Sequence, residues 1–191
     1  MSSSTPEAWI KAAVIFAIFA SPPHGVIFIE RSPHLRKHAG QIGLPGGRVD
    51  PADGDEPRTT ALRELHEELG VDAQRVRVVG RLPEVQQDSN RFLVTPVVGV
   101  IKPETPLTID GSEIVGVFTV PLEAILASDG IYEDVEMTKV RGYTTYALDF
   151  DGHHIWGLTA RILKHFSSAW NDENSVLRSG IEAAFALQTS K

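Results

Sequence analysis

Cysteine is absent from this 191-residue chain, which excludes a disulfide framework, thiolate zinc sites and a cysteine nucleophile together. Long apolar runs are absent too. The longest, Ala12 to Ala20, spans nine residues, far short of the roughly 20 that a membrane-crossing helix needs. Positive charge is in deficit, with 18 Lys and Arg against 25 Asp and Glu and a net charge of −7 with histidine neutral. A protein that coats nucleic acid needs a net positive face, so that class is disfavoured. A small phosphate-bearing ligand held through a divalent cation is not. The opening Met1-Ser2-Ser3-Ser4-Thr5-Pro6-Glu7 lacks the basic region of a secretory signal, and Gln188-Thr189-Ser190-Lys191 is no peroxisomal address. The expectation is a cytoplasmic protein without nucleic-acid or membrane partners.

What is present reads as one α/β domain over residues 1–191, with a core at about 10–170 and a C-terminal helix at 176–187. Hydrophobic residues at 42% and charged residues at 23% suit one soluble core of this size. Ala12–Ala20 and Val26–Glu30 are Val-, Ile- and Phe-rich runs separated by Ser21-Pro22-Pro23-His24-Gly25, a pair of strands joined by a turn. Arg75–Leu82, Phe92–Ile101 and Ile114–Val120 are further strands. The second is nearly continuous in apolar residues and is expected at the sheet centre. Tyr143–Phe150 and His154–Trp156 flank a turn at Asp151-Gly152, and Leu158–Trp170 and Val176–Leu187 read as helices. Ser32–Asp55 is polar and rich in Gly and Pro, and reads as one long functional loop.

The segment Thr59–Leu69 has helical periodicity and stops at Gly70. Within it, Glu64, Glu67 and Glu68 are related as i, i+3 and i+4 and share one arc, while Ala61, Leu62, Leu65 and Leu69 fill another. Three carboxylates on one arc repel one another by a few tenths of a kcal/mol per pair. Arg63 reaches Glu67 at i+4 but leaves charge over. Taken alone, the cluster is more often the wet face of an acidic helix than a ligand set. Just upstream, Leu44-Pro45-Gly46-Gly47 supplies glycines that let backbone approach a ligand, followed by Asp50, Asp53, Asp55 and Glu56. A glycine loop beside an acidic helix builds a metal–phosphate site between them.

These residues resemble the signature of the Nudix hydrolases, G-x5-E-x7-R-E-U-x-E-E-x-G-U with U a bulky aliphatic. Arg63-Glu64-Leu65-His66-Glu67-Glu68-Leu69-Gly70-Val71 matches its second half at every defined position. In the first half, Asp55 stands eight before Arg63 where the signature has Glu, and the glycine spacing is longer by two. A second stretch narrows the resemblance. Ile27-Phe28-Ile29-Glu30-Arg31-Ser32, then Arg36, then Gly40-Gln41-Ile42-Gly43-Leu44-Pro45-Gly46-Gly47 is similar to L-L-T-x-R-S-x3-R-x3-G-x-V-x-F-P-G-G, which marks the coenzyme A pyrophosphatase branch. Ile155-Trp156-Gly157-Leu158-Thr159-Ala160 also looks like a segment of that branch.

The resemblance implies the Nudix fold, an α/β/α sandwich with a mixed β-sheet and the acidic helix at the active site. It implies Mg2+- or Mn2+-dependent hydrolysis of the diphosphate of coenzyme A or its derivatives, giving adenosine 3′,5′-bisphosphate and 4′-phosphopantetheine. Other Nudix substrates, such as ADP-ribose, NADH or a dinucleoside polyphosphate, form a second reading, and a non-catalytic nucleotide-binding module a third. Carried over by position, Glu64, Glu67 and Glu68 are the metal ligands and catalytic carboxylates. Glu67 is the preferred general base, with Glu133 as the loop alternative. Arg63 holds a glutamate rather than touching substrate. Gly46 and Gly47 approach the substrate, and Arg31 and Arg36 are the preferred phosphate contacts, because Arg holds phosphate bidentately. His34 and His38 lie in a Pro-flanked loop, which disfavours a zinc pair. Phe92, Phe150 and Trp156 are expected in the core. The apolar first strand and the late helices are candidate surfaces for a homodimer.

Overall fold

The computed structural model describes residues 8–35, 38–88, 91–109 and 111–187. The strands among the described residues are β1 (Ile10–Phe19), β2 (Gly25–Arg31), β3 (Ile42–Gly43), β4 (Gly46–Arg48), β5 (Val76–Arg81), β6 (Val85–Gln87), β7 (Phe92–Ile101), β8 (Ile114–Pro121), β9 (Tyr132–Glu133), β10 (Tyr146–Phe150) and β11 (His153–Trp156). The helices are α1 (Pro57–Leu69), α2 (Leu122–Leu126), α3 (Val135–Arg141), α4 (Gly157–Trp170) and α5 (Val176–Ala186). None among the described residues is long and apolar enough to cross a membrane.

Alternation along the strands decides the layering. In β1, Ala13, Ile15 and Ala17 face α1 and pack with Ala61, Leu65 and Leu69. Phe16 and Ile18, on the opposite face, join Ile162 and Phe166 of α4 and Ile181 of α5. Phe16 and Phe166 stack with centroids 4.1 Å apart. A strand buried on both faces must be apolar throughout, which is why β1 reads as an unbroken hydrophobic run. The result is a mixed sheet sandwiched between α1 on one side and α4 with α5 on the other, as expected.

The sheet runs β3-β2-β1-β7-β5, with β4 beside β1, β6 beside β7 and β8 beside β2. β1 and β7 pair in parallel along their whole length, from Ile10 opposite Phe92 to Phe19 opposite Ile101. The β1–β2 hairpin pairs at Ile18 and Val26 and then splays. The gap is bridged by the next segment: β3 pairs with β2 at Glu30 and Ile29, and β4 pairs with β1 from Ala12 to Val14. Sequence predicts one loop over 32–55; the structure threads two short strands and a 3-10 turn through it. Glycine-rich strands carry no hydrophobic alternation to betray them. A second sheet, β11-β10-β9, lies beside the first.

β1 lies centrally, paired with β7 along one edge and with β4 and β2 along the other.

Candidate active site

The site is assembled at the splay between β1 and β2. α1 starts at Glu56, whose side chain accepts the Arg58 N–H, with Pro57 in the first helical position, and ends at Gly70 in the left-handed conformation. Its Leu65 and Leu69 anchor one face to the sheet, which turns Glu64, Glu67 and Glu68 towards β4. The glycines of β4 make room for what lies against them. Gly46 sits at φ 155°, and a Cβ there would overlap the Ala13 carbonyl; a Cβ at Gly47 would overlap the Glu64 carboxylate.

Arg63 organises the acids. Its Nε and Nη2 donate to Asp53 at 3.0 and 2.9 Å, Nη2 also to the Arg48 carbonyl at 3.1 Å, and Nη1 to Glu64 at 3.0 Å and Glu67 at 2.8 Å. Asp53 further accepts from the Thr60 hydroxyl at 2.8 Å and the Asp50 N–H at 3.0 Å. These bonds, led by Arg63, hold the Asp53 carboxyl well below the usual carboxylate range despite its burial. The same bond to Asp53 raises Arg63 further still.

Here the structure corrects the alignment read from sequence. Asp55, eight before Arg63, is exposed and pairs with Lys11 at 3.0 Å. Asp53 takes the buried place beside Arg63, at the signature's own spacing from Gly47. The two additional residues fall between that acid and Arg63. The capped 3-10 turn Pro51–Asp53, closed by Asp50, folds the acid back onto the helix and leaves Gly54 and Asp55 outside.

The glutamates differ in environment. Glu68 is buried and accepts the Gly46 N–H at 2.9 Å, with Arg31 Nη1 at 3.7 Å. Burial pushes its carboxyl up to about 8, against the lowering effect of the Gly46 bond. Glu64 is also raised by burial, opposed by Arg63. Glu67 stands in solvent, its side chain 55% exposed. Among the described residues no three acidic or histidine side chains already converge on one point, because Arg63, Gly46 and Arg31 each draw an oxygen away. The donor set nonetheless fits a hard divalent cation. It offers only carboxylate oxygens, and two of the three carboxylates are desolvated, so that each favours a proton until a counter-charge replaces it.

The cleft around these groups has a volume of about 800 Å³ and is lined from both helical layers. Glu64, Glu67 and Glu68 come from α1, whereas Leu158, Thr159, Arg161 and Ile162 come from α4. Arg31, Gly46 and Gly47 line it as expected. Arg31 is drawn to acids, with Glu113 at 3.4 Å on Nη2 and a buried Nε that has no partner among the described residues. Arg36 lies outside the described residues. Glu133 is not brought to the site: it is exposed in β9, opposite Tyr146 at the edge of the small sheet, and does not line the cleft. His38 bonds Gln41 at 2.8 Å.

Residues without a motif complete the lining. Phe92 and Trp156 belong to the cleft rather than the core, while Phe150 packs on the core as expected. Trp156 ends β11 and caps α4, which carries its ring out of the apolar layer. Glu113, Arg141, Tyr143 and Arg161 also face the cleft. Their positions follow from chain crossings distant in sequence, and no local spacing marks them.

Comparison with known proteins bears on this geometry. Residues 10–140 match the NUDIX domain family model. The chain is 35% identical over 158 residues to the uncharacterised Nudix hydrolase NudL of Yersinia pestis (strain Pestoides F), covering 82% of this chain and 78% of the relative. Among solved structures it is similar to a MutT/nudix family protein from Enterococcus faecalis, with TM-score 0.55, 16% identity and coverage of 97% and 77% of the two chains. It is also similar to an Ap4A hydrolase from C. elegans, with TM-score 0.54, 15% identity and coverage of 83% and 96%.

Proposed function

The chain belongs to the Nudix hydrolase family, and from that premise we propose that it hydrolyses the diphosphate of coenzyme A or an acylated coenzyme A. The family acts on phosphorus anhydrides of nucleoside diphosphate derivatives, generally with a divalent ion such as Mg2+ or Mn2+. One observation carries the narrower substrate. From the motif similar to the coenzyme A branch, Arg31, Gln41 to Leu44, Gly46 and Gly47 wall the same cleft as the three glutamates. A volume of about 800 Å³ is also high in the range of roughly 300–1,000 Å³ for small-molecule sites, which suits an extended substrate. Residues 1–191 act as a single domain in this reading, and the protein works in the cytoplasm on a small molecule rather than on nucleic acid.

Glu64, Glu68 and Glu67 are the residues that hold the metal. When bound, it neutralises charge building on the phosphoryl oxygens. The chain's own residues position the reaction. The Asp53–Arg63 pair fixes Glu64 and Glu67 in orientation, and the Gly46 N–H fixes Glu68. Glu67, open to solvent and tethered at one oxygen by Arg63, orients the attacking water and accepts its proton. Water bonds to one phosphorus as the bridging P–O bond breaks, and the two phosphomonoesters leave. Glu133 does not line the cleft, so Glu67 is the base in this scheme.

The test is magnesium-dependent hydrolysis of coenzyme A by the purified protein, beside ADP-ribose and NADH. Preferred release of adenosine 3′,5′-bisphosphate supports the reading. Preferred cleavage of another member of the panel overturns the coenzyme A assignment and keeps the helix chemistry.

A further inference from the structure

Two arginines on the α4 side of the cleft are held in an unusual way. Arg141, at the end of α3, lies with its Cζ 5.5 Å over the ring of Trp156, and Arg161 of α4 lies 5.5 Å over Tyr143. All four residues line the cleft. Neither guanidinium meets a carboxylate among the described residues, in a chain whose acids outnumber its bases. Arg161 donates to the Gln86 carbonyl at 3.3 Å, which fixes its position along the helix.

A guanidinium placed over a ring is pre-positioned and loses little further freedom when its remaining N–H groups bind a ligand. Such groups match a phosphate bidentately. Arg31 is a poorer phosphate contact, because Glu68 and Glu113 already claim it.

Resting on the coenzyme A reading above, we propose that Arg141 and Arg161 form a phosphomonoester subsite, taking the 3′-phosphate of the substrate's adenosine. This subsite reads an anionic group beyond the diphosphate being cleaved, so it selects among nucleoside diphosphate derivatives rather than acting on the bond.

Binding without turnover tests it directly. Calorimetric titration of the wild type with adenosine 3′,5′-bisphosphate and with adenosine 5′-monophosphate is compared with Arg141→Ala, Arg161→Ala and the charge-removing Arg141→Gln. The expected result is a preference of about tenfold or more for the bisphosphate, cut about tenfold by each variant. Absence of a preference in the wild type overturns the subsite. A preference kept in every variant, or equal weakening of both nucleotides, overturns the assignment to these arginines. In parallel, the ratio of kcat/KM for coenzyme A over dephospho-coenzyme A should fall by a similar factor. If coenzyme A is not hydrolysed while the bisphosphate preference stands and depends on the arginines, the substrate reading fails and the subsite survives.

Discussion

The two sides of the cleft are built differently. On the α1 side, carboxylates are buried or tethered, and one arginine bonds three acids and a backbone carbonyl. On the α4 side, Arg141 is exposed at the end of the short helix α3 and Arg161 is half-buried on α4, each resting on an aromatic ring. Burial makes the first side rigid and stores an electrostatic cost there, since desolvated like charges favour protonation. Greater exposure makes the second side inexpensive to change. Chemistry and stability are therefore coupled on one side and separable on the other.

The sharpest break is Glu68→Gln. Turnover should fall by about 10²–10³-fold, while stability at pH 8.5 without metal is kept or raised, because a buried charge has been removed. Parallel loss of activity and of denaturation midpoint would show that Glu68 contributes to the fold rather than opposing it.

Asp53→Ala should move both quantities together. It leaves Arg63, the Thr60 hydroxyl and the Asp50 N–H without their acceptor, at a cost of about 2–4 kcal/mol in urea unfolding. Turnover should drop by roughly 10- to 100-fold, because Arg63 no longer holds Glu64 and Glu67 in place. Unchanged stability would mean that Asp55 replaces it.

A pH series sharpens the contrast without mutation. In the folded chain the Glu68 carboxyl keeps its proton up to about 8, whereas its ordinary value is 4.5. The folded state thus holds more protons between those limits, so this group's contribution is fully present below about 4.5 and is lost as pH rises through 8. In the proposed scheme magnesium takes the proton's place, so its stabilising shift in Tm should be larger at pH 8.5 than at pH 6. An equal shift at both would remove Glu68 from the metal set.

The smallest effect is expected at Glu133→Gln, a change of less than about twofold in kcat, as for most exposed substitutions away from a site. A large loss would bring β9 into the mechanism and displace Glu67 as the base.

Much of this was legible along the chain. Wherever side chains repeat with the period of an element, the sequence marked it: β1 and β7 as apolar runs, α1 by its leucines, the β10–β11 turn at Asp151-Gly152. The glutamates were legible because i, i+3 and i+4 lie on one helical face whatever surrounds them. β3 and β4 were not, since glycine strands are defined by backbone pairing. Nor was the choice of Asp53 over Asp55, which depends on a capped turn folding one acid inward. Arg141, Tyr143, Trp156 and Arg161 lie on separate elements, and only packing brings them to one cleft.

The sequence by itself therefore determined the alternation of strands and helices and the acidic helix, which rest on local periodicity and spacing, and it carried the motif whose resemblance implied the sandwich and the family. Only the tertiary structure decided which acid pairs with Arg63, which glutamates are desolvated and which cations line the cleft. Those depend on burial and on contacts between residues far apart in the chain, and the free energy of a charge is set by what surrounds it rather than by its neighbours in sequence.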